Sequence, residues 1–286
     1  MGPETVLAIM NIVLAGMFGA VIGSFTNVCI YRIPEHRTIV KGHSMCMTCG
    51  HELGALDLVP IFSWLCLGGK CRYCKTPISS RYIKIESLTA LMYIVMAATH
   101  LSMFLDPQDM TKNIFPFIEL CALFIMINII IVEMMIMHDT GSSMYVMSVA
   151  LLIDFAVQLF GRVMTVVYND ASKELASKIT SWAVEALAGA AIAFAAVAIA
   201  VLFSNKPKEL KSYLHDEKGK ALRTSDLFAI VLGGVIGIIP AAVASVVYLI
   251  ARIAIGNGKK VKYLGNILAA GAAVGYFGYA AILLIK

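Results

Sequence analysis

Charge is what this sequence has least of. Asp, Glu, Lys and Arg make up only 14% of the 286 residues, against about 25% in a typical soluble domain. Hydrophobic residues reach 59% and the mean hydropathy is +0.83. Because the apolar excess comes in long blocks, an ordinary soluble enzyme and a disordered chain are both excluded. Seven cysteines are sparse for a disulfide scaffold. The net charge of +5 forms no long basic stripe clear of the apolar blocks, which argues against a nucleic-acid partner. No Gly-x-Gly-x-x-Gly follows a strand pattern, so there is no sign of a Rossmann-type cofactor site. What remains is an all-α polytopic protein whose solvent is the lipid bilayer.

A bilayer core takes about 20 apolar residues as helix. The first block, from about Thr5 to Asn27, lacks the basic start and small-residue cleavage site of a secretory signal and is expected to persist as a helix. Further blocks run over Leu88–Leu105, Ile114–Met137, Tyr145–Phe160, Trp182–Phe203, Leu227–Ile239, Ala241–Ile255 and Leu264–Ile285. The sixth and seventh form one apolar run broken at Pro240, and read as a tight helical pair with Pro240 near the turn. About eight transmembrane helices are predicted. Lys and Arg concentrate in cytoplasmic loops. Here they gather between the first two spans, over Lys206–Arg223, and at Lys259, Lys260 and Lys262. With the N-terminus outside, all three groups face the cytoplasm. The opposite loops keep only Lys112, Arg162, Lys173 and Lys178.

Between the first two spans lies the one sizeable polar segment. It holds Cys46-Met-Thr-Cys49 and, 21 residues on, Cys71-Arg-Tyr-Cys74. Two such pairs place four thiolates on two tight knuckles, the donor set of a closed structural zinc site. Gly50 suits the first turn, and Lys70, Arg72 and Lys75 offset the negative charge of zinc held by four thiolates. Two disulfides are the alternative, disfavoured by a reducing cytoplasm. A segment this small benefits from a metal staple. Leu56 to Trp64 is apolar and reads as lying on the membrane surface, with Trp64 and Tyr82 at headgroup depth.

The order of motifs is specific. Gly23-Ser-Phe-Thr-Asn-Val-Cys-Ile-Tyr-Arg-Ile-Pro34 precedes the first cysteine pair. Asp57-Leu-Val-Pro-Ile-Phe-Ser-Trp64 and Gly69-Lys-Cys-Arg-Tyr-Cys74 follow, and Pro77-Ile-Ser-Ser-Arg-Tyr82 leads to Glu86. Over residues of about 20 to 90 the chain resembles the type IV prepilin peptidases, the leader peptidases and N-methyltransferases of bacterial pilus and type II secretion systems. The resemblance implies a first helix over 1–30, a cytoplasmic zinc-binding, methyltransferase-like domain over 31–85 and a peptidase-like helical domain over 86–286. It also implies the bacterial inner membrane, a prepilin or pseudopilin substrate, and S-adenosylmethionine as methyl donor.

The family's peptidase chemistry uses two aspartates. Two carboxylates sharing a site cannot both ionise cheaply, so one keeps a proton while the other activates water. The family's Gly-x-Gly-Asp motif corresponds here to Arg223-Thr-Ser-Asp226, where only the aspartate survives. Its first aspartate maps to Glu133, with Asp139 six residues further along. At about 100° per residue, positions 133 and 139 point to different faces. Glu133 lies within an apolar span, where an ionisable group is a functional candidate by default. Asp226 also reads as a helix cap after Ser225, and Asp139 as solvated loop. Glu119, Asp154 and Glu185 read as helix-to-helix polar contacts.

Two functions follow. One is an aspartyl leader peptidase using Asp226 with Glu133 or Asp139; the other is a catalytically silent scaffold that binds pilin-like proteins. No internal repeat supports a transporter of two matched halves. The charge placement predicts that a cysteine introduced at position 208 or 260 will react with an impermeant thiol reagent only from the cytoplasmic side. One at position 173 will react only from outside. Cytoplasmic labelling at 173 would overturn the eight-span arrangement.

Overall fold

The computed structural model describes residues 3–99, 110–140, 143–168, 172–204, 224–255 and 266–275. The basic stretches at 206–223 and 259–262 lie outside these, as do Gly141, Gly265 and Gly278. Among the described residues the chain is helical, with no β-strand and only two isolated bridges, Met45–Glu52 and Lys70–Pro77. The helices are α1 (Pro3–Arg32), α2 (Phe62–Cys66), α3 (Arg81–Thr99), α4 (Met110–Thr140), α5 (Tyr145–Tyr168), α6 (Ser172–Ser204), α7 (Thr224–Ile236) and α8 (Ile238–Ile255). Asn266–Gly275 forms α9. Setting aside the five-residue α2, eight longer helices remain among the described residues. α1, α4, α5 and α6 are each long and apolar enough to cross a membrane, and α7, α8 and α9 are shorter apolar helices. This is a multi-pass membrane protein. Helices overrun the apolar blocks at several ends. Arg162, expected in a loop, lies inside α5 and pairs with Glu119 of α4 at 2.8 Å.

The chain divides into two compact units, residues 1–109 and 110–286. In the first, α1 and α3 form an antiparallel hairpin that carries the cysteine-bearing loop between them. Gly16, Gly19 and Gly23 of α1 meet Ile94, Tyr93 and Glu86 of α3, so closely that a Cβ on any of the three would lie 2.8 Å from the facing residue. Lipid offers no hydrophobic drive for helices to associate, and small residues allow the backbone contact that replaces it.

The second unit repeats the device. α4 and α5 are antiparallel, with Gly161 beside the Phe115 carbonyl. α6 and α7 meet at Gly189 and Gly233, where a Cβ on Gly233 would sit 2.7 Å from the Gly189 carbonyl oxygen. α8 and α9 meet at Gly271 and Gly275.

The turn between α7 and α8 falls at Gly237 rather than at Pro240. Gly237 has φ +84°, a conformation that costs other residues about 1–2 kcal/mol. Pro240 sits in the first turn of α8, where a missing N–H leaves no helical bond unmade. The first N–H that does bond there is that of Ala241, to the Gly237 carbonyl at 3.0 Å.

Gly189→Val is expected to force α6 and α7 apart at a cost of about 1–3 kcal/mol, as overpacking does. Thermal unfolding of the purified chain in detergent will show it as a lower Tm.

Candidate metal centre and buried acids

The two cysteine pairs fold as matching knuckles. In each, the first cysteine N–H bonds a carbonyl five residues on: Cys46 to His51 and Cys71 to Thr76, both at 2.9 Å. The residue four after it bonds back to the cysteine carbonyl, Gly50 to Cys46 at 2.8 Å and Lys75 to Cys71 at 3.1 Å. Both returning residues are left-handed, with φ of +69° and +62°. Gly50 was legible as a turn residue. Lys75 holds the equivalent place without glycine's freedom, so nothing in its residue type marked it.

The knuckles bring all four sulfurs within 4.8 Å of one another, and Cys46 Sγ lies 3.8 Å from Cys74 Sγ. A tetrahedron of Zn–S bonds of about 2.3 Å has edges of about 3.8 Å. All four are free thiols, so the two-disulfide alternative is not what the chain adopts. The cluster fits a zinc ion held by Cys46, Cys49, Cys71 and Cys74, with no open position and hence a structural role.

The surroundings favour thiolate. The Thr76 hydroxyl and backbone N–H bring Cys74 down to about 6. Backbone N–H groups of Cys49 and Thr48 lower Cys46. Cys49 receives the His51 N–H, yet lost solvation and the sulfurs of Cys46 and Cys74 push it up to about 11. Four thiolates repel one another until a cation arrives, so ligation releases protons and acid reverses it.

Asp57 locks the second knuckle to the rest of the loop. Its carboxylate accepts from Arg72 Nε at 2.5 Å, Tyr73 Oη at 3.2 Å and the Gly54 N–H at 3.2 Å. Arg72, aided by the Gly54 N–H, holds this carboxyl below its usual range. Further along, Ile61 adopts φ +65° in a tight turn closed by Phe62 N–H to the Pro60 carbonyl at 2.6 Å. Such a conformation is rare for a β-branched residue. What holds it is the buried Glu86 of α3, whose Oε2 accepts the Ile61 N–H at 2.7 Å. Around this turn Leu56 and Phe62 stay 75% and 68% exposed, as suits a segment lying on a bilayer. Trp64 is half-buried instead, its indole donating to the Ile78 carbonyl while its ring covers Gly69.

In the second unit the acids separate by burial. Glu133 of α4 is 2% exposed, whereas Asp139, six residues on, is exposed. The Ser143 hydroxyl and Met144 backbone come nearest the Glu133 carboxyl, but neither of its oxygens has a partner at full hydrogen-bond geometry. Glu133 lines a cavity of about 10 Å³ with Ile130, Phe228, Leu232 and Leu268, room for about one water. Asp226 sits in the first turn of α7 with no exposed surface. It points inward and accepts from Tyr248 Oη of α8 at 2.6 Å, so its placement is not that of a solvent-facing cap. No hydrogen bond joins Glu133 to Asp226. Glu119 makes the expected helix-to-helix contact, to Arg162 of α5, whereas Asp154 accepts from Gln158 one turn along its own helix. Glu185 is exposed.

The family model described as the bacterial peptidase A24 N-terminal domain matches residues 17–100. That segment is similar to the N-terminal domain of bacterial A24 peptidases. It contains α1 from its middle onward, both knuckles, Glu86 and α3. The prepilin leader peptidase/N-methyltransferase of Myxococcus xanthus is 44% identical over 77 residues, 27% of this chain and 23% of its own. That of Aeromonas hydrophila is 36% identical over 110 residues, 30% of this chain and 38% of its own. That of Dichelobacter nodosus is 31% identical over 115 residues, 31% of this chain and 40% of its own. The chain thus spans well under half the length of these relatives. No solved structure matches.

Purified protein is expected to carry about one zinc per chain, since the four sulfurs fill one tetrahedral site. Cys74→Ser removes it, and Asp57→Asn, which takes the carboxylate from Arg72 and Tyr73, speeds its loss to a chelator several-fold. A carboxyl held low in the folded state stabilises it above the unfolded value of about 3.9 and stops doing so as pH falls through the folded one. The difference between Asp57→Asn and the parent chain therefore disappears in strong acid. Elemental analysis and chelator-competition rates across pH check both.

Proposed function

We propose that the chain is a membrane aspartyl endopeptidase of the inner membrane, with its N-terminus outside and residues 31–85 in the cytoplasm. It cleaves the leader peptides of type IV prepilins or pseudopilins at the cytoplasmic face and N-methylates the new N-terminus. The observation that carries the proteolytic half is Glu133. It is a buried intramembrane carboxyl with no fully formed hydrogen bond, beside a cavity the size of one water and facing α7, the helix that bears Asp226. In that reading one of Glu133 and Asp226 activates the water while the other holds the proton, the division of labour of paired carboxylates. Asp139, exposed on another face of α4, is the weaker candidate.

The methylating half rests on the names of the relatives, which are N-methyltransferases as well as leader peptidases. S-adenosylmethionine is its natural donor. Among the described residues, however, there is no β-strand from which a glycine loop could cradle a nucleotide, so a Rossmann-type site does not fit. The zinc ion, held by four thiolates without an open position, would brace the loop rather than react.

A catalytically silent scaffold that binds pilin-like proteins is the second reading. It is favoured by the lack of a hydrogen bond between Glu133 and Asp226.

Incubation with a purified prepilin, with cleavage and methylation both read by mass spectrometry, separates the two. Asp226→Asn and Glu133→Gln are each expected to abolish cleavage, because an amide neither activates water nor holds a shared proton. Asp139→Asn is expected to matter less. Glu133→Asp draws the carboxyl back by about 1 Å, and a displacement of that size costs about a hundredfold in rate. Methylation survives all four. Full cleavage by Asp226→Asn would sink the aspartyl mechanism and leave the scaffold.

A further inference from the structure

Because the α7–α8 turn falls at Gly237, residues equally distant from it on the two helices stand side by side. Asp226 lies eleven residues before it and Tyr248 eleven after. The two meet in the interior: Asp226 has no exposed surface, Tyr248 is 1% exposed, and the phenol oxygen lies 2.6 Å from Asp226 Oδ1. The walls around the ring are apolar and small, among them Ala193, Ala229, Gly233 and Ala244. A phenol placed there needs a partner, since a buried hydroxyl left unbonded is costly. The carboxylate is that partner.

We infer that Tyr248 is a positioning residue for Asp226. This rests on the reading of Asp226 as one of the two catalytic carboxyls of the peptidase. A short aspartate on one helix can rotate about its own side-chain bonds. A hydrogen bond from the opposite arm of a hairpin takes that freedom away, fixing the plane of the carboxylate and therefore the direction in which Oδ2 points. Donor and acceptor are both held by packed backbone, Gly233 against Gly189 on one arm and Gly271 against the Ala244 backbone on the other. The orientation is built in before substrate arrives, as efficient catalysis of this kind requires. Tyrosine suits this role because its ring fills the space between the helices while its hydroxyl donates.

The test is steady-state cleavage of a purified full-length prepilin in detergent micelles by the whole chain. Tyr248→Phe keeps the ring and removes only the donor. Expected is a fall in kcat of about tenfold to a hundredfold, the scale of a misdirected catalytic group, with KM and Tm close to those of the parent. Loss of catalytic rate without loss of binding marks an interaction that matters in the transition state. As a second measurement, 3-fluorotyrosine at position 248, a stronger donor of nearly the same shape, is assayed at mildly acidic pH. It is expected to change kcat while KM and Tm stay put. Full kcat in Tyr248→Phe, or an unchanged kcat with 3-fluorotyrosine, overturns the inference. So does a parallel decline of kcat, Tm and binding in Tyr248→Phe together with a silent 3-fluorotyrosine, which would make Tyr248 merely structural. Asp226→Asn is run alongside. If it cleaves normally, the aspartyl reading has failed and takes this one with it. If it is dead while Tyr248→Phe is fully active, only the role of Tyr248 has failed.

Discussion

Helices in a bilayer gain nothing by exchanging lipid for one another unless their backbones come close, and in this chain glycine is what lets them. Four helix pairs have such a contact: α1 with α3 at Gly16, Gly19 and Gly23, α4 with α5 at Gly161, α6 with α7 at Gly189 and Gly233, α8 with α9 at Gly271 and Gly275. The polar groups depend on these contacts for their placement. Gly23 brings the backbone of Glu86 against α1. Gly161 lies beside Glu119 near the Glu119–Arg162 pair. Gly233 fixes the helix that carries Asp226. Packing comes first here, and the chemistry inherits its geometry.

The two polar centres obey opposite rules. The cysteine cluster sits in a loop with little core of its own. Backbone N–H groups, Asp57 and Glu86 shape it so that four sulfurs converge and a cation can neutralise them. The acids of the second unit are surrounded by alanine, leucine and methionine, where charge is expensive. One of them, Asp226, has a phenol to satisfy it; the other, Glu133, has a water-sized space.

What could be read from the sequence was whatever has a fixed spacing. Two C-x-x-C pairs announced the metal cluster because a knuckle has one geometry and tolerates few alternatives. Apolar blocks announced the helices, and the 100° step separated Glu133 from Asp139. The α7–α8 turn was legible near Pro240, but Gly237, the residue that turns the chain, stands among other small residues and was not marked. Tyr248 gave no signal, since a tyrosine in an apolar run looks like any packing residue until the partner on the facing arm is known. Glu86 was visible only as part of the family-like order of motifs. Its hold on Ile61 depends on a strained turn that no periodicity foretells.

That hold has a bearing on how the molecule is made. The turn at Ile61 is secured by a carboxylate 25 residues later in the chain, and Trp64 by a carbonyl 14 residues later. Synthesis runs from the N-terminus, so each fastener emerges after the residue it holds. The knuckles and the Trp64 fastener are complete in the chain before α3 begins, whereas the turn at Ile61 has to wait for Glu86.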